Sequence, residues 1–167
     1  MNHKLFGITG WKNSGKTTLT ERLVQELTRR GYRISTVKHA HHNFDIDHVG
    51  KDSWRHRKAG AAEVAVVSSA RYAIMHENLG EAEPSLEAIV GKLAPCDLVL
   101  IEGYKRESHK KIELRRSGGH DGPPLSDDDP SIVAIASDHI TQREKLPLFD
   151  LDAVEEIADF VVQLMKL

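Results

Sequence analysis

The sequence predicts an α/β fold, a single domain with a mainly parallel β-sheet flanked by helices. Three observations predict it. Strand-like and helical segments alternate along the chain. One segment, Leu98-Val99-Leu100-Ile101, is a continuous apolar run, the pattern of a central parallel strand covered on both faces. The 167 residues are 40 % apolar and 29 % charged, which suits one core and would be cramped for two full domains.

The elements follow in order. Lys4–Thr9 is short, mostly apolar and followed by glycine, a buried strand. Lys16–Arg30 places Leu19, Leu23, Val24 and Leu27 on one helical face. Arg29 and Arg30 suit the negative end of its dipole, and Gly31 is positioned to cap it. Arg33–Lys38 is a second strand. Asp52–Ala59 reads as a helix stopping near Gly60. Glu63–Val67 and Arg71–His76 read as strands, joined as a hairpin through Ser68-Ser69-Ala70. Pro84 opens a helix with Leu86, Ile89, Val90 and Leu93 as its apolar face, and Pro95 closes it. After the run at 98–101, the alternation in Lys111–Arg115 suggests a strand nearer the sheet edge. Ser117–Pro130, rich in Gly, Pro and Asp, is expected to be a flexible loop. Ser131–Ala136 is expected as the last strand. Asp152 and Glu155 form a D-x-x-E helix start ahead of a stripe of Val154, Ile157, Ala158, Val161, Leu164 and Met165.

Charge and composition narrow the function classes. The net charge of −2 argues against a nucleic-acid binder that works by bulk positive charge. No apolar run approaches the ~20 residues that span a bilayer. The start of the chain has no signal-peptide pattern. Cys96 is the only cysteine, so no internal disulfide is available, and a cytoplasmic location is expected. The balance hides an asymmetry: residues 1–60 carry a net +7 and residues 61–167 a net −9. Six of the ten histidines also fall in the first 60 residues. A basic first third suggests that anions are handled there, although sequence halves can interleave in space.

Gly10-Trp11-Lys12-Asn13-Ser14-Gly15-Lys16-Thr17 matches G-x-x-x-x-G-K-[ST] in full. Two glycines let the backbone curl so that successive N–H groups point at phosphate oxygens. The helix starting near Lys16 aims its positive end at the same anion. Lys16 is placed to reach the β- and γ-phosphates, and the Thr17 hydroxyl to ligate Mg²⁺. An apolar strand before the loop and an amphipathic helix after it supply the context the motif requires.

Other constellations fall at strand ends, where ligands of open α/β sheets bind. Glu102 closes the most buried strand, where a carboxylate can hold the magnesium shell or orient water on the γ-phosphate. Its alternative role is to pair with a lysine. Asp97, at the opposite end, reads as structural. Lys38-His39-Ala40-His41-His42-Asn43-Phe44-Asp45-Ile46-Asp47 follows the second strand. Asp45 and Asp47 are candidates for the metal shell, and His39–His42 for a transition metal, but the spacing matches no strong metal signature. The basic stretch from Gly50 to Ala61, with Trp54, suits a phosphorylated or planar ligand or a charged helix face. Asp138, ending Ala134-Ile135-Ala136-Ser137-Asp138, is either a guanine reader accepting from the base N1–H and amine or an ordinary turn residue.

Together, G-W-K-N-S-G-K-T-T, K-H-A-H-H-N-F-D-I-D, G-K-D-S-W-R-H-R-K-A-G-A, D-L-V-L-I-E-G-Y-K and A-I-A-S-D resemble the MobB family of molybdopterin-guanine dinucleotide biosynthesis adapter proteins. The resemblance runs from Phe6 to the terminal helix. It implies a P-loop NTPase fold, a homodimer, and binding of GTP with Mg²⁺ with weak hydrolysis at most. It implies assistance to the MobA-type guanylyltransferase that joins GMP to molybdopterin; from charge and hydropathy, no nucleic-acid or membrane partner is expected. Phosphate binding carries onto Gly10, Lys12, Asn13, Ser14, Gly15, Lys16, Thr17 and Thr18. The strand-end acid carries onto Glu102, and the aspartates after the second strand onto Asp45 and Asp47. Residues 117–129 match no family motif, and no arginine finger is evident. The same scaffold also admits a small-molecule kinase with a lid rooted at Arg115 and Arg116, a metal-delivery GTPase, or a non-catalytic partner-binding module.

Overall fold

Six strands lie parallel in the order β2 (Ile34–Lys38), β5 (Leu98–Glu102), β1 (Leu5–Gly10), β6 (Lys111–Arg115), β7 (Ile132–Ser137) and β8 (Leu148–Asp150). The computed structural model describes residues 3–40, 44–119, 122–139 and 145–167. They fall into two compact units, Met1–His39 with Leu86–Leu167, and Ala40–Ser85. The first unit holds the sheet.

Alternating side chains of β5 explain the apolar run. Leu98 and Leu100 join the cluster formed by α1 (Lys16–Arg29) and α4 (Val154–Met165), which includes Phe6, Ile8, Leu23, Leu27, Ile157 and Val161. Val99 and Ile101 face the other way, onto Val37 and onto Leu86 and Val90 of α3 (Leu86–Val90). Each such side chain taken fully from water contributes about 1.5–3 kcal/mol. At the end of α1, Gly31 adopts φ +95° and donates to the Thr28 carbonyl while Tyr32 donates to that of Leu27, the expected glycine cap.

Four expectations need correction. β6 is not near an edge: it pairs with both β1 and β7. Its alternation arises because Lys111 and Glu113 are buried charges with partners, not a solvent-facing row. Lys111 Nζ donates to the Glu107 carbonyl, to Asp129 Oδ2 at 2.9 Å and to Ser131 Oγ at 2.5 Å. Glu113 accepts from Arg115 and from the backbone N–H groups of Leu125 and Ser126. Next, β7 is not the last strand, since the three-residue β8 extends the sheet beyond it. Third, α3 is only five residues long, ending ahead of Gly91. Finally, Asp152 does not cap α4, whose cap position is Ala153; Asp152 pairs instead with Arg22 at 2.5 Å. Within the 117–130 stretch, Leu125–Asp127 forms a 3-10 turn.

The second unit consists of α2 (Asp52–Lys58) and the antiparallel hairpin of β3 (Glu63–Val67) and β4 (Tyr72–His76). The expected turn closes it, with Ser68 N–H donating to the Arg71 carbonyl at 2.9 Å. Val64 is the only buried apolar side chain among its described residues. No helix of the described residues is long and apolar enough to cross a membrane.

Candidate functional site

The loop after β1 takes the shape its glycines permit. Gly10 sits at φ +148° and Gly15 at φ +92°, with Asn13 also left-handed at +64°. A Cβ on Gly10 would strike Ser14 Oγ and the Leu114 carbonyl, so no side chain fits there. Gly15 occupies the cap position of α1 with no side-chain cap, and the first turn holds no acidic residue. The N–H groups of that turn thus have no capping side chain, the condition in which a helix start can receive an anion.

Lys16 folds over this loop, donating to the Trp11 carbonyl at 2.7 Å and the Gly10 carbonyl at 3.1 Å. Burial pushes its ammonium below the ordinary lysine range; Lys105 adds to the effect, Glu102 opposes it, and Lys38 adds a smaller push. An anion arriving here meets a cation with incentive to be neutralised by it.

Beside Lys16, Thr17 Oγ1 donates to Glu102 Oε1 at 2.9 Å, and Lys38 Nζ lies 3.2 Å from the same oxygen. Strand register explains the meeting: Lys38 stands directly opposite Glu102 on neighbouring parallel strands. Glu102 thus has a lysine partner, the alternative role read for it, and the same carboxylate accepts from Thr17. A hydroxyl and a carboxylate at this separation form an oxygen pair of the type a hard cation prefers. Among the described residues two buried hydroxyls, Ser14 Oγ and Thr9 Oγ1, have no hydrogen-bond partner. Ser14 Oγ belongs to the loop itself, and an unpaired buried donor there fits a ligand with acceptor oxygens. Lys12 and Asn13 of the loop and Thr17 and Thr18 in the first turn of α1 are exposed.

The other flank of the loop carries Asp138. Its carboxylate accepts from Ser117 N–H at 2.8 and 3.1 Å, from Ser117 Oγ at 3.1 Å and from His139 Nδ1 at 2.8 Å. The His139 contact, then Ser117, holds its carboxyl down at about 2. Trp11 ties the loop to residues beyond β6. Its Nε1 donates to the Pro123 carbonyl at 2.9 Å, Gly122 packs where any Cβ would collide with the indole, and Lys105 Nζ stands 4.3 Å from the ring centroid. A cavity of about 230 Å³ opens here, lined by Trp11, Ser14, Arg116 and His139 among others.

Asp45 and Asp47 lie in the second unit, where both bind Arg57. The guanidinium Nη2 donates to Asp45 and, at 2.5 Å, to Asp47, while Nη1 donates to Glu77 at 2.7 Å. Among the described residues no group of three or more His, Cys, Asp or Glu side chains is placed to hold a metal ion. His41 and His42, named for a transition metal, lie outside the described residues. His39 is described and stacks on Tyr104 with ring centroids 4.6 Å apart. Asp97 accepts from Arg33 N–H at 2.7 Å, the structural role expected of it. Trp54 is half-buried with Lys58 Nζ 5.8 Å from its ring.

Sequence reasoning did not single out Arg57, Lys105 or the pairing of Lys38 with Glu102. The first had a signal, an arginine ten residues after an isolated Asp-x-Asp. Lys38 had one as well, ending the strand that neighbours β5.

The family model described as "Molybdopterin guanine dinucleotide synthesis protein B" (MobB) matches residues 5–138. The molybdopterin-guanine dinucleotide biosynthesis adapter protein of Escherichia coli is 40 % identical over 164 residues, spanning 97 % of this chain and 93 % of that one. The Haemophilus influenzae protein of the same name is 40 % identical over 157 residues, 94 % of this chain and 86 % of its own. Among solved structures, the crystal structure of molybdopterin-guanine biosynthesis protein B superposes with TM-score 0.75 at 28 % identity, covering 98 % of this chain and 99 % of that one. A MobB homolog from Bacillus stearothermophilus superposes with TM-score 0.74 at 28 % identity, covering 97 % of each chain.

Proposed function

This chain belongs to the MobB family, and we propose that it is a GTP-binding adapter assisting the attachment of GMP to molybdopterin. The observation that carries the nucleotide reading is the set of Lys16, Thr17 and Glu102 around an uncapped helix start. Lys16 and the first-turn N–H groups of α1 neutralise the β- and γ-phosphates. Lys16 exchanges its two carbonyl partners for phosphate oxygens, a stronger charge-assisted bond. Gly10, Lys12, Asn13, Ser14, Gly15 and Thr18 shape the rest of the cradle. Thr17 and Glu102 supply oxygens to a Mg²⁺ ion, which when bound offsets the charge of the phosphate tail. Glu102 is also the group that orients water, and hydrolysis is slow.

Two further site assignments carry a condition. Asp45 and Asp47 can ligate a cation only after releasing Arg57. Asp138 can read a guanine only with oxygens freed from Ser117. The chain works as a homodimer in this reading, which the hairpin supports. Val67, Tyr72 and Ile74 share one face of β3–β4 and are 74 %, 71 % and 61 % exposed. An isolated two-stranded ribbon with an uncovered apolar face is marginal in water.

The test is reconstitution with a MobA-type guanylyltransferase, GTP, Mg²⁺ and molybdopterin. The wild-type chain is expected to raise the yield of guanylylated pterin, and Glu102→Gln to slow phosphate release from GTP while folding normally. No change in yield on adding the wild-type chain would contradict the adapter role.

A further inference from the structure

We propose that Arg116, which follows β6, is a nucleotide-binding residue that grips the α-phosphate end of the bound nucleotide. The proposal rests on the phosphate-loop reading above and adds a cation to it from the opposite flank.

The placement comes from the sheet. β5 and β6 flank β1 on opposite sides. Thr17, Glu102 and Lys38 gather at the β5 side of the loop. Asp138 follows β7, the strand beyond β6. A nucleotide with its terminal phosphate at Lys16 and Thr17 and its base toward Asp138 must cross the end of β6, where Arg116 stands. Arg116 Nη1 lies 3.7 Å from the position a Cβ on Gly15 would take, so the guanidinium already borders the cradle.

The arginine is held in place but not used up. Gly119 N–H donates to the Arg116 carbonyl at 3.1 Å, closing a turn with Gly118 at φ +73°. Before a guanine draws on its oxygens, Asp138 also holds the next residue through the Ser117 N–H and hydroxyl, while the turn at Gly119 does not depend on Asp138. The Arg116 side chain is exposed and has no hydrogen bond or ion pair among the described residues. It lines the 230 Å³ cavity with the unpartnered, buried Ser14 hydroxyl. A fixed backbone carrying an uncommitted guanidinium at the wall of a cavity is a preorganised anion contact.

Position along the tail gives the inference a signature. A cation at the α-phosphate end meets GDP and GTP alike, whereas one at the γ-phosphate meets GTP only. Titration calorimetry of wild type, Arg116→Ala and Arg116→Lys with GTP and with GDP, each with Mg²⁺, reads the difference. Arg116→Ala is expected to weaken both nucleotides by a similar factor, roughly 10- to 100-fold, the loss of a charged hydrogen-bond donor. Arg116→Lys should recover part of it, lacking only the forked geometry. Because the side chain has no hydrogen-bond or ion-pair partner among the described residues, the variant's melting temperature should match wild type. Unchanged affinities, or weakening of GTP alone, would overturn the inference and leave the phosphate loop standing. A wild-type chain that takes up neither nucleotide would overturn the loop reading and this inference with it.

Discussion

The two units of this chain are held together by different forces. The sheet unit has its strands covered on both faces by apolar side chains, with Leu23, Leu100 and Ile157 fully buried. Among its described residues the Ala40–Ser85 unit buries one apolar side chain, Val64, and gathers instead around the Arg57 guanidinium with Asp45, Asp47 and Glu77. Burial of carbon in the first carries no charge to screen or titrate, whereas a guanidinium–carboxylate hub is subject to both. The contrast teaches that one chain can pair a core of buried carbon with a segment held together by charge. Segments of low local stability are the ones that rearrange when ligands or partners arrive.

The largest expected effect is on the sheet. Leu23→Ala should cost about 2–5 kcal/mol of global stability, read as a fall in denaturant midpoint with unchanged slope. A loss confined to residues 44–85 would break the contrast. Next comes Arg57→Ala, which strands three carboxylates around one hole. Hydrogen exchange is expected to quicken at least about tenfold over residues 44–85 while β1, β5 and β6 keep their protection. Equal loss in both units would contradict separate support.

Acid gives a smaller, graded effect. The Arg57 hydrogen bond holds the Asp47 carboxyl below the ordinary aspartate range. An aspartate in the unfolded chain titrates near ~3.9, so the stabilisation is complete above that value. It is lost as pH falls from there through the folded value. In the sheet unit, hydrogen bonds from Arg29 and then Arg30 hold Glu26 at about 2, so its support is complete above the ordinary glutamate value of ~4.3 and is lost as pH falls from there toward the folded value. The sheet retains its apolar core regardless. Exchange measured from about pH 5 down to about pH 2, corrected for intrinsic rates, should therefore rise in 44–85 before it rises in β5. The reverse order would sharpen the role of Glu26 at the expense of Arg57.

Much of the fold was legible because it depended on local pattern. The apolar stripe of α1, the glycine at its end and the run in β5 all report burial directly. The errors came where burial was polar. Lys111 and Glu113 alternate with Ile112 and Leu114 as an edge strand would, yet each charge is satisfied inside by partners 12–20 residues away along the chain. β8 is too short to show a period. At the site, the motif announced Lys16 and Thr17, and the strand end announced Glu102. Arg116 was visible only as the root of a loop, because its nearness to Gly15 depends on β6 lying beside β1. Asp45 and Asp47 read as metal candidates because sequence shows carboxylates but not the arginine that reaches them.

The central claim is that the loop from Gly10 to Thr17 holds a nucleotide through Lys16. Calorimetric titration of the folded chain with GTP, with and without Mg²⁺, tests it most directly when run beside Lys16→Ala. Saturable uptake of one nucleotide per chain, tightened by Mg²⁺ and abolished or weakened at least about 100-fold in the variant, is the predicted result. Absence of uptake by the folded wild type, or equal uptake by both chains, would contradict it.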